Sequence, residues 1–227
     1  MFFVTGTDTG VGKTYFSCML IRELRASGIH AVGFKPLCCG DRDDAIQLAK
    51  ASDDAITINE CNPTWMRFPA SPYAASIIEE RLIDLQEIRS RWQQMKERFP
   101  AIVVEGAGGW LVPIHRDYSM ADLAREMGLP VIVVAANRLG VLNHTLLTVQ
   151  AIQAANLTCA GIVLNNGIHP TNPVSVTNRS ILEELLRGSS IPILGELEAD
   201  STHLPATIAK SLLAHFPTKN RLPETPQ

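Results

Sequence analysis

The sequence predicts an α/β protein with a mostly parallel central sheet and helices on both of its faces. Short β-branched runs alternate along the chain with longer stretches of helical pattern. The runs are apolar at consecutive positions, as expected of strands buried on both faces. No repeat or linker interrupts the 227 residues, which suit one domain. We expect the domain to span residues 1–215 and the polar, proline-containing residues 216–227 to form a flexible tail.

The predicted elements alternate regularly through the first half of the chain. Prolines at 63, 69 and 72 predict a loop over residues 59–72. A strand over 2–5 is followed by a helix over 13–27 and by a second strand over 31–35. Helical patterns then cover 43–51, 73–80 and 84–98.

The second half of the chain continues the alternation. Its predicted strands cover 101–105, 131–136, 160–164 and 193–194, and its predicted helices cover 142–155, 181–187 and 203–215. Ligands of such sheets bind beyond the carboxyl ends of the strands. Residues that directly follow a strand are therefore the candidates for a functional site.

Composition excludes several classes of protein. The net charge is −3, so no nucleic-acid-binding surface is expected. No segment reaches the roughly 18–20 apolar residues that span a bilayer. The start of the chain has no basic leader, and the five cysteines lack metal-ligand spacing. We expect a cytoplasmic protein with reduced thiols and no membrane partner.

The strongest motif is the segment GTDTGVGKT at residues 6–14, here called the phosphate loop. It follows a predicted strand and opens a predicted helix, which is the context that a nucleotide-binding loop requires. Backbone N–H groups at Gly10, Val11 and Gly12 would face phosphate oxygens at the helix N-terminus. Lys13 would reach the terminal phosphates, and the Thr14 hydroxyl would bind Mg²⁺. The motif predicts a P-loop NTPase-like fold that binds a nucleoside triphosphate.

The phosphate loop departs from the usual spacing. Five residues separate Gly6 from Gly12, where the common pattern has four, so that Thr7 occupies the place of the first glycine. The alternative, a chance glycine-rich turn before a helix, is disfavoured because Lys13 and Thr14 stand in the required context.

Lys35 ends the second predicted strand, where its side chain would project into the same cleft as Lys13. Two ammonium groups over one site suit a reaction in which negative charge is shared between two reacting groups. The alternative is a surface lysine before a turn, and spacing alone does not decide between them.

Two carboxylates could complete a metal site with Thr14. Glu105 ends the third core strand, and the glycines after it allow close approach of the backbone to a ligand. Asp44 precedes a predicted helix, where it could bind the metal or simply cap the helix. The alternative for Glu105 is an incidental residue in a glycine-rich turn.

Asn165 and Asn166 follow the predicted strand over 160–164. An asparagine side chain offers both a donor and an acceptor, which matches a purine edge. The following Gly167 also makes this segment a strong candidate for a plain turn.

Together these residues match a known family. The chain resembles the dethiobiotin synthetases over most of residues 2–200, and the lengthened phosphate loop is itself the form found in that family. The resemblance rests on GTDTGVGKT at 6–14, KPLCCG at 35–40, DA at 44–45, PASPY at 69–73, VEGAGGW at 104–110, PVIVVAANRLGVLNH at 130–144 and LNN at 164–166.

The resemblance implies an ATP-dependent ring closure in biotin synthesis. One amine of 7,8-diaminononanoate takes up CO₂ as a carbamate, and ATP phosphorylates the carbamate to a carbamic–phosphoric anhydride. The second amine attacks the anhydride and gives dethiobiotin, ADP and phosphate. ATP would be a co-substrate and Mg²⁺ the cofactor.

The resemblance also implies roles for individual residues. Lys35 and Lys13 would be catalytic, and Thr14, Asp44 and Glu105 would hold the metal. Cys39 stands where many members have a serine, and Glu198 where others have a proline. The implied nucleotide contacts are Gly10, Val11, Gly12, Lys13, Thr14, Tyr15, Asp44, Glu105, Gly106, Ala107, Gly108, Asn165, Asn166, Glu198, Ala199 and Asp200. The implied substrate contacts within one subunit are Thr9, Lys35, Cys39, Pro69 and Ser71.

Members of this family place the site at a homodimer interface. The second subunit would hold the substrate carboxylate at a helix N-terminus, where an anion is favoured. The corresponding residues here are Gly140, Val141, Leu142 and Asn143. A tyrosine that the family has near the following lid has no obvious counterpart in residues 170–187.

Three other classes of protein remain as alternatives. A partition or site-selection ATPase of the same fold class would carry a second lysine early in the loop, where this chain has Thr7 and Asp8. A GTPase would carry Asn-Lys-x-Asp, but residues 137–140 lack the closing aspartate. A cobyrinate-type amide synthase needs a glutaminase domain, for which the chain has no room.

Overall fold

The computed structural model describes residues 1–167 and 173–216. Its strands, numbered in chain order, are β1 (Phe2–Gly6), β2 (Ala31–Phe34), β3 (Leu37–Cys39), β4 (Thr64–Met66), β5 (Ala101–Gly109), β6 (Pro113–His115), β7 (Tyr118–Ser119), β8 (Val131–Ala136), β9 (Cys159–Asn165) and β10 (Ile193–Leu197). Its helices are α1 (Lys13–Ala26), α2 (Asp43–Ala51), α3 (Ile58–Cys61), α4 (Pro72–Ile78), α5 (Leu85–Arg98), α6 (Met120–Met127), α7 (Val141–Ala154), α8 (Pro173–Leu185) and α9 (Ala206–Leu213).

Six strands form the central sheet in the order β10-β9-β8-β1-β5-β2. Every pairing within this sheet is parallel. Strands β1, β2 and β8 are buried at all positions. Because successive side chains of a strand point to opposite faces, this burial shows that both faces of the sheet are covered. The predicted fold class is confirmed.

The parallel arrangement gathers the candidate residues at one edge. In-register pairing places Val4 of β1 beside Glu105 of β5 and Gly33 of β2 beside Val103. The phosphate loop therefore leaves the sheet next to the end of β5, and Lys35 leaves it on the other side of β5. This is the edge at which parallel sheets bind ligands.

The predicted loop over residues 59–72 was wrong in part. It contains the end of α3 and the short strand β4, which pairs in parallel with β3. A capping box at Thr57 and Glu60 starts α3, since each side chain accepts the other residue's backbone N–H. Prolines at 63 and 69 flank β4 without interrupting it. A three-residue strand has no periodicity of its own, so its partner β3 defines it.

Other elements extend or add to those expected. Strand β5 runs to Gly109, β10 to Leu197, and α8 begins at Pro173 rather than at 181. The hairpin of β6 and β7 and helix α6 were not predicted. No helix in the two described ranges has the length and apolar character needed to cross a membrane. The predicted tail lies outside the described residues except for Phe216, which packs edge-on against Phe2.

Candidate active site

A cleft of about 660 Å³ opens at the carboxyl ends of β1, β2 and β5. It brings together predicted residues from segments that are far apart in sequence. Its predicted lining residues are Thr9, Gly10, Gly12, Lys13, Thr14, Lys35, Cys39, Asp44, Pro69, Ser71, Ala107 and Gly108. Ala70 and Pro72, which belong to the same predicted substrate loop as Pro69 and Ser71, also line it. Leu37, Cys38, Asp41 and Val112 line it as well and were not predicted. Most of the lining residues that were not predicted lie one or two positions from a predicted residue in the sequence. This proximity is the signal that could have indicated them.

The phosphate loop is tightly folded around Gly6. A Cβ atom at Gly6 would lie 2.7 Å from Val11 Cγ2 and 2.8 Å from the Asp8 carbonyl oxygen, so no side chain fits there. Gly12 has φ of 96°, in the left-handed region that favours glycine, and caps α1. This turn places Lys13 at the first position of α1.

Lys13 is buried against the phosphate loop itself. Its ammonium group donates to the Asp8 carbonyl oxygen at 3.0 Å. Burial, together with the nearby positive charge of Lys35, lowers the pKa of Lys13 to about 8. A bound phosphate would bring further negative charge to this ammonium, beyond that of Glu105, Asp44 and Asp8.

Lys35 is held by two carboxylates. Its Nζ atom lies 2.6 Å from Glu105 Oε1 and 2.6 Å from Asp44 Oδ2, and it also donates to the Gly106 carbonyl oxygen at 3.3 Å. Burial alone would lower the pKa of Lys35, but the charges of Glu105 and Asp44 outweigh it and hold that pKa above its usual value. Burial alone would raise the pKa of Asp44, but the charge of Lys35 outweighs it, so that this pKa is lowered. The lysine is therefore a permanent positive charge at the floor of the cleft.

The backbone of Lys35 is fixed by residues that the sequence did not indicate. Its N–H donates to the Cys61 carbonyl oxygen at 2.8 Å. The Asn62 side chain donates to the Lys35 carbonyl oxygen at 2.9 Å and to the Thr64 carbonyl oxygen at 2.8 Å. The segment from α3 to β4, predicted as a loop, thus positions the lysine.

Thr14 faces the same two carboxylates. Its hydroxyl oxygen lies 2.6 Å from Asp44 Oδ1 and 2.9 Å from Glu105 Oε1. A hydroxyl has one proton, so it donates to one of these oxygens at a time. The three groups predicted to share a metal are therefore in direct contact.

The chemistry of this cluster fits Mg²⁺. Glu105 is fully buried, and its second oxygen, Oε2, has no hydrogen-bond partner among the described residues. Such an oxygen remains free to bind a cation. Mg²⁺ prefers oxygen ligands and commonly takes one or two carboxylates, completing its shell with water and substrate phosphates. No cluster of three or more His, Cys, Asp or Glu residues that could hold a metal occurs in the described parts of the chain.

Cys39 and residues 69–72, which include the predicted substrate contacts, line one side of the cleft. Gly40 has φ of 85°, and a Cβ atom there would lie 3.1 Å from Pro69 Cβ, so the two segments pack closely. Ser71 caps α4 by accepting the backbone N–H of Ala74. Burial raises the pKa of the Cys39 thiol to about 11. The thiol is therefore protonated at neutral pH.

The predicted base-binding residues lie beside the phosphate loop and not in the cleft. Asn165 donates to the Val11 carbonyl oxygen at 3.0 Å and accepts the Gly167 N–H at 3.0 Å. A Cβ atom at Gly167 would lie 3.0 Å from Ala199 Cα, so residues 165–167 and 198–200 adjoin. Within the described ranges, these bonds leave one amide hydrogen and one lone pair of the Asn165 side chain without a partner.

Tyr15 and Asn166 connect the segments predicted to bind the base to the rest of the protein. The Tyr15 hydroxyl lies 2.6 Å from the Ser201 carbonyl oxygen and 3.3 Å from that of Glu198. Asn166 donates to Glu196 and Glu198, both at 2.8 Å. Both predicted nucleotide contacts thus also hold the segment that includes Asp200.

Residues 140–143 do not line the cleft of their own chain. Gly140 caps α7 in the left-handed conformation, with φ of 93°. A second depression of about 430 Å³ lies next to the phosphate loop and α7. Leu111 and Leu147 line it and are 68% and 56% exposed.

The strand, phosphate loop and helix, with two lysines and two carboxylates at the loop, define a P-loop nucleotide-binding protein. A family model described as "AAA domain" matches residues 1–206. The chain is 45% identical over 196 residues to "ATP-dependent dethiobiotin synthetase BioD" of Akkermansia muciniphila, covering 86% of this chain and 91% of the relative. It is 38% identical to the protein of that name from Aromatoleum aromaticum, and the match covers 92% of this chain and 95% of that relative. The chain belongs to the ATP-dependent dethiobiotin synthetase family. This confirms the predicted enzyme class, an ATP-dependent ligase of biotin biosynthesis.

Solved structures with the same fold support the architecture alone. A ParA family ATPase from Chlorobium tepidum has a TM-score of 0.51 at 14% identity, covering 97% of this chain and 93% of that one. The septum site-determining protein MinD from Pyrococcus horikoshii, complexed with Mg-ADP, has a TM-score of 0.52 at 15% identity, covering 88% and 80%. These partition and site-selection proteins are distant in sequence. The alternative of an ATPase switch is not favoured, because the sequence relatives are synthetases.

Proposed function

We propose that this enzyme converts 7,8-diaminononanoate, CO₂ and ATP to dethiobiotin, ADP and phosphate. The observation that carries the proposal is the cleft that joins Lys13 of the phosphate loop to Lys35 held between Glu105 and Asp44. The two lysines supply positive charge on either side of a phosphoryl group and its acceptor.

The first step forms a carbamate. One amine nitrogen of the substrate bonds to the carbon of CO₂ and releases a proton. The carbamate carries a negative charge, which the fixed ammonium of Lys35 stabilises. Since the pKa of Lys35 is raised, the lysine stays charged and acts electrostatically.

The second step transfers the γ-phosphoryl group. A carbamate oxygen bonds to the γ-phosphorus as the bond to the leaving oxygen of ADP breaks. Lys13 and the backbone of the phosphate loop hold the transferring group. Thr14, Asp44 and Glu105 would hold Mg²⁺, which when bound neutralises phosphate charge. A carbamate oxygen leaves poorly, and phosphorylation makes it a good leaving group.

The third step closes the ring. The second amine bonds to the carbamate carbon, the bond from that carbon to the phosphate oxygen breaks, and a proton is lost. No protein nucleophile is needed, so the rate depends on holding both amines near the activated carbon. Thr9, Cys39, Pro69 and Ser71 border the space in which the diamine would lie.

We propose that Asn165 and the segment 198–200 bind the base of ATP and that the enzyme is a homodimer. The open half of the Asn165 carboxamide supports base binding. Exposed Leu111 and Leu147 beside the cleft support an interface there. Residues 140–143 of the second subunit would then bind the substrate carboxylate through the N-terminus of α7.

The test is ADP formation measured with and without diaminononanoate and bicarbonate. We expect turnover only when both are present, with one dethiobiotin formed per ADP. Turnover that ignores both substrates and responds to DNA or a partner protein would overturn the proposal. Replacing the diamine with its mono-amino analogue is the control, because that compound cannot close the ring.

A further inference from the structure

Three asparagine side chains link helix α8 to the end of β10. Asn178 donates to Asn137 Oδ1 at 2.8 Å, Asn137 donates to Asn166 Oδ1 at 2.7 Å, and Asn166 donates to Glu198 Oε1 at 2.8 Å. We call Asn137, Asn166 and Asn178 the asparagine relay. Asn137 and Asn178 are 5% and 2% exposed. Buried carboxamides need directional partners, so the relay admits one arrangement of its three members.

Asn137 is the centre of the relay. Its side-chain nitrogen also donates to the Ser175 carbonyl oxygen at 3.1 Å, and its backbone N–H donates to the Asn165 carbonyl oxygen at 2.9 Å. Both amide hydrogens and the carbonyl oxygen of this side chain are used. Asn137 therefore fixes α8 and the end of β9 at the same time.

The relay ends at the segment that adjoins the proposed base-binding residues. Asn166 holds the Glu198 side chain on one side, while on the other side the Tyr15 hydroxyl lies 2.6 Å from the Ser201 carbonyl oxygen and 3.3 Å from that of Glu198. Tyr15 belongs to α1, directly after Lys13 and Thr14. Residues 198–201 are thus held from two sides, by the asparagine relay and by α1, the helix that carries Lys13 and Thr14.

We propose that Asn137 and Asn178 are positioning residues for the nucleotide base. Through Asn166 they set the separation between residues 165–167 and 198–200. This separation determines the affinity for the base, whereas the affinity for the phosphates does not depend on it. The inference rests on the proposed base site. Neither residue lines the cleft that holds Lys35, so the relay acts on the base end of the nucleotide.

The test compares two ligands of the full chain by calorimetry with Mg²⁺ present. ADP contacts both the base site and the phosphate loop, whereas inorganic triphosphate contacts the loop alone. Asn178→Asp keeps the shape of the side chain but sets an oxygen against Asn137 Oδ1. We expect ADP binding to weaken about tenfold, the effect of losing one buried hydrogen bond, while triphosphate binding is unchanged.

Asn62→Asp is the matched control. Asn62 is 1% exposed and also donates two hydrogen bonds, but to Lys35 and Thr64 on the other side of the cleft. Its ratio of ADP to triphosphate affinity should equal that of the unaltered protein. A second variant, Asn137→Ser, gives the same comparison if Asn178→Asp does not fold.

Equal losses for ADP and triphosphate, or no loss for either, would overturn the role of the relay. These outcomes are separate from the fate of the proposed reaction, because binding is measured without the diamine. A chain that fails to close the ring but shows the selective loss of ADP would keep the relay and refute only the reaction.

Discussion

Lys35 Nζ lies 2.6 Å from Glu105 Oε1, with the two side chains 3% and 0% exposed. A buried charge pair of this kind is costly unless it is completed by further partners, which Asp44 and Thr14 supply. The pair places a fixed positive charge next to the carboxylate that is also the buried candidate for metal binding. Several predictions about activity depend on this arrangement.

Replacement of Lys35 by glutamine should abolish ring closure, with turnover falling by about 10³-fold, because the carbamate loses its charge partner. ADP binding should persist, since Lys13 and the phosphate loop are untouched. Stopped-time assays of dethiobiotin, together with ADP calorimetry, separate the two effects. Activity of more than a small fraction of the original would show that Lys35 is not catalytic.

Thr14→Val should raise the Mg²⁺ concentration needed for half-maximal activity by about tenfold or more, since a hydroxyl ligand is lost. Valine keeps the shape of the side chain, so the helix should remain intact. Thr14→Ser restores the hydroxyl and serves as the control. An identical Mg²⁺ dependence in the valine and serine variants would argue against a metal at this position.

ADP affinity without Mg²⁺ should fall as the pH rises through about 8. The pKa of Lys13 is lowered to about 8 in the free protein, and phosphate binding favours the charged ammonium. Binding should thus take up a proton above pH 8 and none well below it. Calorimetry in buffers of different ionisation enthalpy measures this uptake. Lys13→Arg, which stays charged, should lose the dependence, and a pH-independent affinity in the unaltered protein would contradict the assignment.

Cys39 should react slowly with iodoacetamide although it lines the cleft. Burial raises its pKa to about 11, so the reactive thiolate is scarce at pH 7.5. The rate at this residue should be about a hundredfold below that of a free thiol and should climb with pH towards 11. Mass spectrometry of the labelled peptide gives the rate, with Cys39→Ser as the blank. Rapid labelling at pH 7.5 would refute the buried thiol.

Leu147→Glu should disrupt the proposed dimer, because it replaces an apolar side chain with a charged one at the proposed interface. Leu147 is 56% exposed and lines the second depression. Sedimentation at micromolar concentration should show a dimer for the unaltered chain and a monomer for the variant. The variant should also need more diamine for half-maximal turnover. A monomeric unaltered chain would count strongly against a shared site.

The sequence predicted the cleft well because a parallel sheet converts order along the chain into position in space. The phosphate loop extends from the end of β1, Lys35 directly follows β2, and Glu105 ends the predicted strand over 101–105, so their convergence could be inferred from the strands alone. Asp44 was ambiguous, since an acidic residue in the first turn of a helix is also a common cap. In the structure its carboxylate contacts Lys35 and Thr14, and metal binding by Asp44 stays a prediction.

The supports of the site could not be predicted. Asn62 donates a hydrogen bond to the backbone of Lys35 from a segment whose prolines indicated a loop. In the same segment, β4 is a strand only because it pairs with β3. Asn137 and Asn178 are 41 residues apart and carry no shared pattern. Such contacts depend on tertiary packing, for which a single sequence gives no local signal.

In the proposed reaction, a carbamate oxygen attacks the γ-phosphate and leaves with it. One measurement tests this directly. With CO₂ labelled by ¹⁸O at the start of a rapid turnover, the released phosphate should carry one labelled oxygen, detected by mass spectrometry, because the bridging oxygen of the anhydride comes from the carbamate. Phosphate that contains oxygen from water and none from CO₂ would show that ATP is hydrolysed without forming the anhydride, and would contradict the account.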